Sequence, residues 1–191
     1  MIAGLLLAAG AGRRLGGRPK ALLPYRGGLL VEHAAQTLVA GGCDRVYVVH
    51  GAADVPNRPE WTKVHNPFWE SGMGSSLRMG LMAIDSSATA VVVLLVDQPG
   101  IGPAAVNRLI AANRDGSNLV VATYGGARSH PVLFGRSYWD AVAASAIGDA
   151  GARNFLQEHA TAITTVECGD IADPADIDLP EDLPLITTPD G

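Results

Sequence analysis

Cysteine is scarce in this sequence. The 191 residues include two cysteines, Cys43 and Cys168, which lie far apart along the chain. Two distant cysteines do not make the disulfide framework of a small secreted domain or a cysteine-rich metal site, so we interpret them as idle thiols in a reducing compartment. The sequence therefore predicts a cytoplasmic protein.

Long hydrophobic runs and extended basic surfaces are also missing. No apolar stretch approaches the roughly 20 residues of a membrane span, and the short apolar opening, residues 1–9, leads directly into a glycine-rich loop. We interpret that opening as a buried strand, because a signal peptide carries a basic segment before its apolar core. The formal net charge is −5, whereas nucleic-acid binding needs an extended basic face. Neither a membrane nor a nucleic acid is predicted as a partner.

The apolar content is sufficient for one α/β domain. Hydrophobic residues make up 48% of the chain, and short apolar runs alternate with helical stretches, which is typical of a mostly parallel sheet with helices on both faces. We predict a single Rossmann-like three-layer α/β/α domain over residues 1–184 and a loosely ordered tail over 185–191. The predicted strands are 2–8, 45–50, 62–65, 90–96, 119–123 and 163–167, and the predicted helices are 30–40, 75–84, 103–113, 136–145 and 152–159.

Positive charge is concentrated in one glycine-rich segment near the start of the chain. Five of the fourteen basic residues lie between positions 13 and 26, directly after or among the four glycines of positions 10–17. Glycines let backbone N–H groups approach an anion, and Arg and Lys supply the countercharge, so the segment predicts a phosphate-binding loop. It fits neither common template, because Leu15 replaces the third glycine of a dinucleotide fingerprint and Lys20 precedes Ala21 instead of a hydroxyl residue.

An acidic residue follows the most apolar predicted strand. Residues 91–96 read Val-Val-Val-Leu-Leu-Val, and Asp97 comes directly after them. Ligands of open α/β sheets bind outside the carboxyl ends of the strands, where a carboxylate can hold Mg²⁺ against a triphosphate. The alternative is that Asp97 only caps the following turn.

A third feature is the start of the helix predicted from residue 75. Gly72 and Gly74 are followed by Ser75, Ser76 and an apolar helical stretch. An exposed helix N terminus presents free N–H groups to a ligand and favours anions. An ordinary capped helix start is the alternative interpretation.

The glycine-rich segment resembles the signature of the MobA-like and MocA-like nucleotidyltransferases of molybdenum-cofactor biosynthesis, L-A-(A/G)-G-x-x-x-R-(M/L)-G-G-x-x-K-x-L. Asp97-Gln98-Pro99 likewise resembles the D-x-P metal motif of that family, and the resemblance extends from Leu6 to Leu183. It implies a fold of the nucleotide-diphospho-sugar transferase type and an Mg²⁺-dependent enzyme that releases pyrophosphate. The positions that match the signature in register are Leu7, Ala8, Ala9, Gly10, Arg14, Leu15, Gly16, Gly17, Lys20 and Leu22.

The resemblance also implies roles for individual residues. Arg14, Lys20 and Asp97 are the predicted catalytic residues. Asp178, with Glu181 as a helper, joins Asp97 as a predicted metal ligand, through a late segment similar to the family's D-I-D-T-P-E-D. Asp176 is the rival of Asp178, because Leu179 replaces the usual Thr. The predicted nucleotide contacts are Leu7, Ala8, Ala9, Gly10, Gly12, Asn66, Gly72, Gly74, Ser75 and Ser76.

Two further segments resemble acceptor-side motifs of the same enzymes. Arg128 and His130 belong to a G-x-x-x-H-P segment, and Asp149 and Arg153 to a G-D-x-G-A-R segment. We predict that these four residues bind the acceptor, and the guanidinium groups suit a phosphate. A structural role for a loop histidine and a solvated helix start are the alternatives.

The implied reaction is transfer of CMP or GMP from CTP or GTP to the phosphate of molybdopterin. CMP is favoured, because the loop at 72–77 resembles the cytidylyl branch. The alternatives are another phosphorylated acceptor, such as a sugar phosphate or a phospho-acid of the deazaflavin pathway, and a nucleotide or cofactor binder without catalysis. A monomer or a small homo-oligomer is expected.

Overall fold

A computed structural model describes residues 1–184 of the chain. The predicted tail at 185–191 lies outside these described residues. The strands are β1 Ile2–Leu7, β2 Pro24–Tyr25, β3 Gly28–Leu29, β4 Arg45–His50, β5 Trp61–His65, β6 Ala90–Leu95, β7 Leu119–Tyr124, β8 Ala127–Gly135 and β9 Thr164–Glu167. The α-helices are α1 Leu30–Ala40, α2 Met73–Ala83, α3 Pro103–Arg114, α4 Trp139–Ser145 and α5 Arg153–Glu158.

Seven of these strands form the central sheet, in the order β5-β4-β1-β6-β8-β7-β9. β1 pairs in parallel with β4 and β6, and the pairs β4–β5 and β7–β9 are also parallel. β8 runs antiparallel to both of its neighbours, β6 and β7. The sheet is therefore mostly parallel, which confirms the predicted fold class. β2 and β3 form a separate two-stranded ribbon.

The core lies on both faces of this sheet, because successive strand residues point to opposite sides. In β1, Leu6 belongs to the apolar cluster on one face, with α1 and α3, and Leu5 to the cluster on the other, with α2 and α4. Strands buried on both faces read as continuous apolar runs, as β6 does. α2 packs closely on the sheet because Gly80 has no side chain, since a Cβ atom there would overlap the side chain of Leu5.

The sequence prediction missed β8. Residues 125–131 were interpreted as an acceptor loop, whereas the structure places Gly125 and Gly126 at the turn of a β7–β8 hairpin and residues 127–135 in a strand. Pro131 interrupts the apolar pattern, and a proline within a run argues against a central strand. The ladder accommodates it through an irregular register between Val121 and Ala122. The Gly125-Gly126 pair directly after the apolar run at 119–124 was the available hairpin signal.

The other predicted elements are confirmed, with ends that match or differ by at most two residues except at the start of α4. The predicted helix at 136–145 begins as a 3₁₀ turn, Arg136–Tyr138, before α4. Within residues 1–184, no helix has the length and apolar character needed to cross a membrane.

Candidate functional site

Two neighbouring cavities open at the edge of the sheet where the parallel strands end. Their volumes are about 350 Å³ and about 480 Å³. We call them the first and the second cavity. They share four lining residues, Leu7, Met73, Leu95 and Asp149. A ligand in one cavity would therefore lie next to a ligand in the other.

The glycine-rich loop forms one wall of the first cavity through residues 9–13. Gly12 has a left-handed backbone, with φ of 62°, and its carbonyl oxygen accepts hydrogen bonds from the N–H groups of Leu15 at 2.9 Å and Gly17 at 3.0 Å. A Cβ atom on Gly12 would overlap the carbonyl oxygen of Arg18. The loop is folded back on itself, and only glycine fits at its centre.

This geometry makes Gly12→Ala a test of the loop. We expect a several-fold rise in the KM for NTP with a small change in Tm, because the left-handed conformation and the overlap with Arg18 force the loop to rearrange at the surface. Steady-state kinetics and thermal unfolding measure the two effects. Gly102→Ala is the matched control, since Gly102 has ordinary backbone angles and open space around its Cβ position. An unchanged KM in Gly12→Ala would contradict a role for the loop in binding.

Lys20 joins the two carboxylates that were predicted as metal ligands. Its Nζ donates to Oδ2 of Asp97 at 2.7 Å and to Oδ1 of Asp178. Arg14 approaches the same cluster, with its Nη1 3.5 Å from Oδ2 of Asp178. Burial lowers the pKa of Lys20, but the charges and hydrogen bonds of Asp97 and Asp178 outweigh it and raise that pKa above its ordinary value. The cluster brings residues 158 positions apart into direct contact.

The same carboxylates are suited to a divalent cation. Oδ1 of Asp97 is buried and has no hydrogen-bond partner among the described residues. Across residues 1–184, no three or more His, Cys, Asp or Glu side chains form a ready-made metal cage. Mg²⁺ is commonly held by one or two carboxylates together with substrate phosphates, so a full protein cage is not required. The residues present therefore fit an ion that binds together with an NTP.

The late acidic segment returns to the site, as predicted. The N–H of Ile177, a fully buried residue, donates to the carbonyl oxygen of Asp97 at 2.8 Å, and Asp178 follows it into the cluster. Asp176 lines the second cavity instead, and burial, followed by the charge of Asp97, raises its pKa. Glu181 is exposed and makes no hydrogen bond or ion pair with any described residue. The structure thus brings Asp178 to Lys20 and leaves Glu181 outside.

Three of the predicted nucleotide contacts have structural roles instead. Asn66 is fully buried, and its Nδ2 donates to the hydroxyls of Ser75 at 2.9 Å and Ser76 at 3.0 Å, while its Oδ1 accepts the N–H of Phe68. The hydroxyl of Ser75 donates to backbone carbonyls. A Cβ atom on Gly74 would lie 2.6 Å from the carbonyl oxygen of Ala146. These residues hold the loop and the start of α2 in place.

The other residues of that loop lie beside the first cavity. Gly72 and Ser76 line it, together with Trp69, Glu70 and Met73, which the sequence analysis did not select. Gly72 has φ of 103°, and a Cβ atom there would lie 2.5 Å from the backbone of Gly148. The absence of a side chain at position 72 lets the loop approach the segment that carries Asp149. Of the predicted contacts at the end of β1 and in the glycine-rich loop, the cavity is lined by Leu7, Ala9, Gly10 and Gly12. Ala8 is buried, and its N–H donates to the carbonyl oxygen of Val49.

The second cavity contains all four predicted acceptor residues, Arg128, His130, Asp149 and Arg153. Arg128 and His130 reach it from β8, and the other two from the segment before α5 and its first residue. Burial lowers the pKa of His130 to about 4, so its imidazole is neutral near pH 7. Deeper in the cavity the lining is apolar and includes Leu77, Val93, Val121, Val132, Phe134 and Leu156. The cavity thus combines an apolar floor with a charged lining of two arginines, Arg128 and Arg153, and two carboxylates, Asp149 and Asp176.

Gln98 links the two halves of the site and was not predicted to do so. Its Nε2 donates to the hydroxyl of Ser129 on β8 at 3.3 Å and to the carbonyl oxygen of Pro174 at 3.1 Å. It therefore ties the turn after β6 to β8 and to the late acidic segment. In the sequence, only its position next to Asp97 pointed to a role in the site.

Comparison with known proteins adds independent findings. The model of the MobA-like NTP transferase domain matches residues 4–163. Nicotine blue oxidoreductase of Paenarthrobacter nicotinovorans is 40% identical over 194 residues, covering 95% of this chain and 94% of that protein. Molybdenum cofactor guanylyltransferase of Xanthomonas euvesicatoria pv. vesicatoria (strain 85-10) is 33% identical over 111 residues, covering 58% of this chain and 54% of that protein.

A similar solved structure is the manganese complex of Rv0371c from Mycobacterium tuberculosis H37Rv. Its TM-score to this chain is 0.74 at 26% identity, with 97% of each chain covered. The fold is also shared by solved nucleotidyltransferases, which confirms the predicted fold type.

Proposed function

The chain belongs to the MobA-like NTP transferase family, and on that premise we propose that it transfers a nucleoside monophosphate from an NTP to the phosphate of molybdopterin. The family consists of enzymes that bind NTP and a phosphorylated acceptor. The observation that carries the proposal is the contact of Lys20 with Asp97 and Asp178 at the mouth of the glycine-rich loop. The domain at 1–184 would act in the cytoplasm as a monomer or a small homo-oligomer.

The proposed step is an in-line displacement at the α-phosphorus of the NTP. An oxygen of the acceptor phosphate forms the new P–O bond, the bond between the α-phosphorus and its bridging oxygen breaks, and the electron pair leaves with pyrophosphate. A phosphate acceptor is already ionised near pH 7, so no strong general base is needed. Catalysis then rests on positioning and on charge neutralisation.

The residues of the cluster divide these tasks. Lys20 and Arg14 place positive charge beside the first cavity, where the triphosphate would lie against the backbone N–H groups of the glycine-rich loop. Members of this family typically use a divalent metal, and we propose Mg²⁺ held by Asp97 and Asp178. That ion would neutralise charge on the NTP phosphates. Arg128 and Arg153 would bind the acceptor phosphate at the rim of the second cavity.

The choice of base rests on the loop at 72–77 and on one partial match, and the choice of acceptor rests on the lining of the second cavity. The loop at 72–77 favours CMP, whereas the partial match to a guanylyltransferase favours GMP. A sugar phosphate or a phospho-acid remains the alternative acceptor, but the apolar floor of the second cavity favours a ligand with an apolar or aromatic body.

A second candidate function is redox chemistry on a heteroaromatic compound. It is favoured by the 40% identity to a protein named nicotine blue oxidoreductase and by the same apolar floor. Against it stands the glycine-rich loop, which lacks the third glycine of a dinucleotide fingerprint. A binder without catalysis is the third alternative.

One assay separates these functions. Pyrophosphate release is measured from each of the four NTPs with Mg²⁺, with and without molybdopterin, and NADH and NADPH oxidation is followed in parallel with the dye nicotine blue as acceptor. We expect pyrophosphate release from a single NTP, with CTP the favoured one, and only when molybdopterin is present. Release with another phosphorylated acceptor would change the substrate, dye reduction without release would favour the oxidoreductase, and nucleotide binding without either reaction would favour the binder.

A further inference from the structure

The segment that delivers Asp178 to the cluster is closed by a short turn, Pro180–Asp182. Oδ2 of Asp182 accepts hydrogen bonds from the backbone N–H groups of Asp178 at 2.9 Å and of Leu179 at 2.8 Å. The hydrogen bond from Leu179, followed by that from Asp178, lowers the pKa of Asp182. Its carboxylate is therefore ionised near pH 7. Two main-chain donors, one of them on Asp178 itself, therefore converge on one carboxylate.

The turn depends on Asp182 because Leu179 cannot cap it. A turn of this kind is normally closed from both sides, by a hydroxyl or carboxylate side chain at the first position and by an acidic side chain three residues later. Leu179 has no acceptor in its side chain and is 40% exposed. Only the reciprocal half, from Asp182 back to the N–H of Leu179, can form.

Asp178 is therefore held between two anchors. On one side, buried Ile177 bonds its N–H to the carbonyl oxygen of Asp97. On the other, Asp182 holds the main chain of Asp178 and Leu179. The turn is also closed by main-chain hydrogen bonds from the N–H of Asp182 to the carbonyl oxygen of Leu179 at 2.9 Å and from the N–H of Leu183 to that of Pro180 at 3.3 Å, but neither of these involves the main chain of Asp178.

We propose that Asp182 is a positioning residue, whose carboxylate fixes the main chain of Asp178. The side chain of Asp178 can then reach Lys20 and the metal-binding position beside Asp97. The part of this inference that concerns the metal rests on the proposed function. It differs from the sequence-based prediction, which selected the adjacent Glu181 as the helper. The side chain of Glu181 has no polar partner among residues 1–184, whereas that of Asp182 has two, the N–H groups of Asp178 and Leu179.

The test compares Mn²⁺ affinity in the full chain and its variants, with each NTP present and no acceptor added. We expect Asp182→Ala to weaken Mn²⁺ binding by at least about 10-fold, the usual lower bound when a residue supporting a metal ligand is removed. Asp182→Asn should stay close to the wild type, because its amide oxygen can accept the same two hydrogen bonds. Equal losses in both variants would show that charge matters instead of position, and would overturn the proposal.

Three further measurements sharpen the result. Asp170→Ala removes an exposed carboxylate that pairs with Arg108 at 2.7 Å, outside the site, and should bind Mn²⁺ like the wild type. A loss of Mn²⁺ affinity in Glu181→Ala with normal affinity in Asp182→Ala would favour the sequence-based prediction and overturn this proposal.

Amide hydrogen exchange at Asp178 and Leu179, which needs no metal, should quicken in Asp182→Ala and not in Asp182→Asn. Retained protection of these amides in Asp182→Ala would also overturn the proposal. Normal Mn²⁺ binding without acceptor-dependent pyrophosphate release would contradict the proposed function alone.

Discussion

Replacing Lys20 with Met is expected to lower kcat by about 100- to 1000-fold, the range found when one charge-stabilising donor is removed from an active site. Lys20 holds both carboxylates of the cluster and lines the first cavity. Methionine keeps the length of the side chain and removes its charge, so the triphosphate would lose the one lysine at this place. Steady-state pyrophosphate release measures the effect.

Lys63→Met is the matched control for this variant. Lys63 is the other of the two lysines in the chain, and its Nζ pairs with Oδ1 of Asp54 at 2.5 Å, outside both cavities. It should retain wild-type turnover. Thermal unfolding of both variants checks that they fold. A Lys20→Met protein that folds and turns over at the wild-type rate would remove Lys20 from the mechanism.

The local patterns of the sequence explain why much of this site could be predicted. A buried parallel strand reads as an apolar run, so the end of β6 and the place of Asp97 follow from residues 91–96 alone. The carboxyl edge of a parallel sheet then brings Asp97 towards the glycine-rich loop after β1. The role of Asp178 was predicted from a family resemblance, and its contact with Lys20 was not predicted, because no local pattern joins residues 158 positions apart.

Two site predictions differ from the contacts in the structure for one physical reason, which is that a sequence pattern gives the type of a residue but not the direction of its side chain. Asn66 was predicted to contact the nucleotide, yet its amide is used by Ser75, Ser76 and Phe68. Glu181 and Asp182 are adjacent carboxylates, and only the turn decides which one faces Asp178. β8 was missed for a different reason, since a strand that contains Pro131 is stabilised by its pairing with β6 and β7 and not by its own pattern.

Asp97→Asn is the second variant for which we expect a large effect, a fall in kcat of about 1000-fold. Asparagine keeps the shape of the side chain, so the loss would reflect the negative charge that attracts Lys20 and a divalent ion. Oδ2 of Asp97 is paired with Lys20 at 2.7 Å, but Oδ1 is buried without a hydrogen-bond partner among residues 1–184, and leaving a buried polar atom unpartnered is costly. The wild-type residue is therefore suited to the reaction more than to the stability of the ligand-free chain.

Activity and stability should respond differently to this change. Removing a carboxylate that lies near Asp176 and Asp178 relieves repulsion, while the remaining contact of Lys20 with Asp178 is kept, so we expect the Tm of Asp97→Asn to stay the same or rise. Asp85→Asn is the control, because Asp85 is a carboxylate that pairs with Arg45 at 3.6 Å and lies outside both cavities. It should keep its turnover. If Asp97→Asn retained wild-type turnover with the same dependence on the metal concentration, Asp97 would be the cap of a turn, and the metal place would have to be sought among the other carboxylates of the late acidic segment.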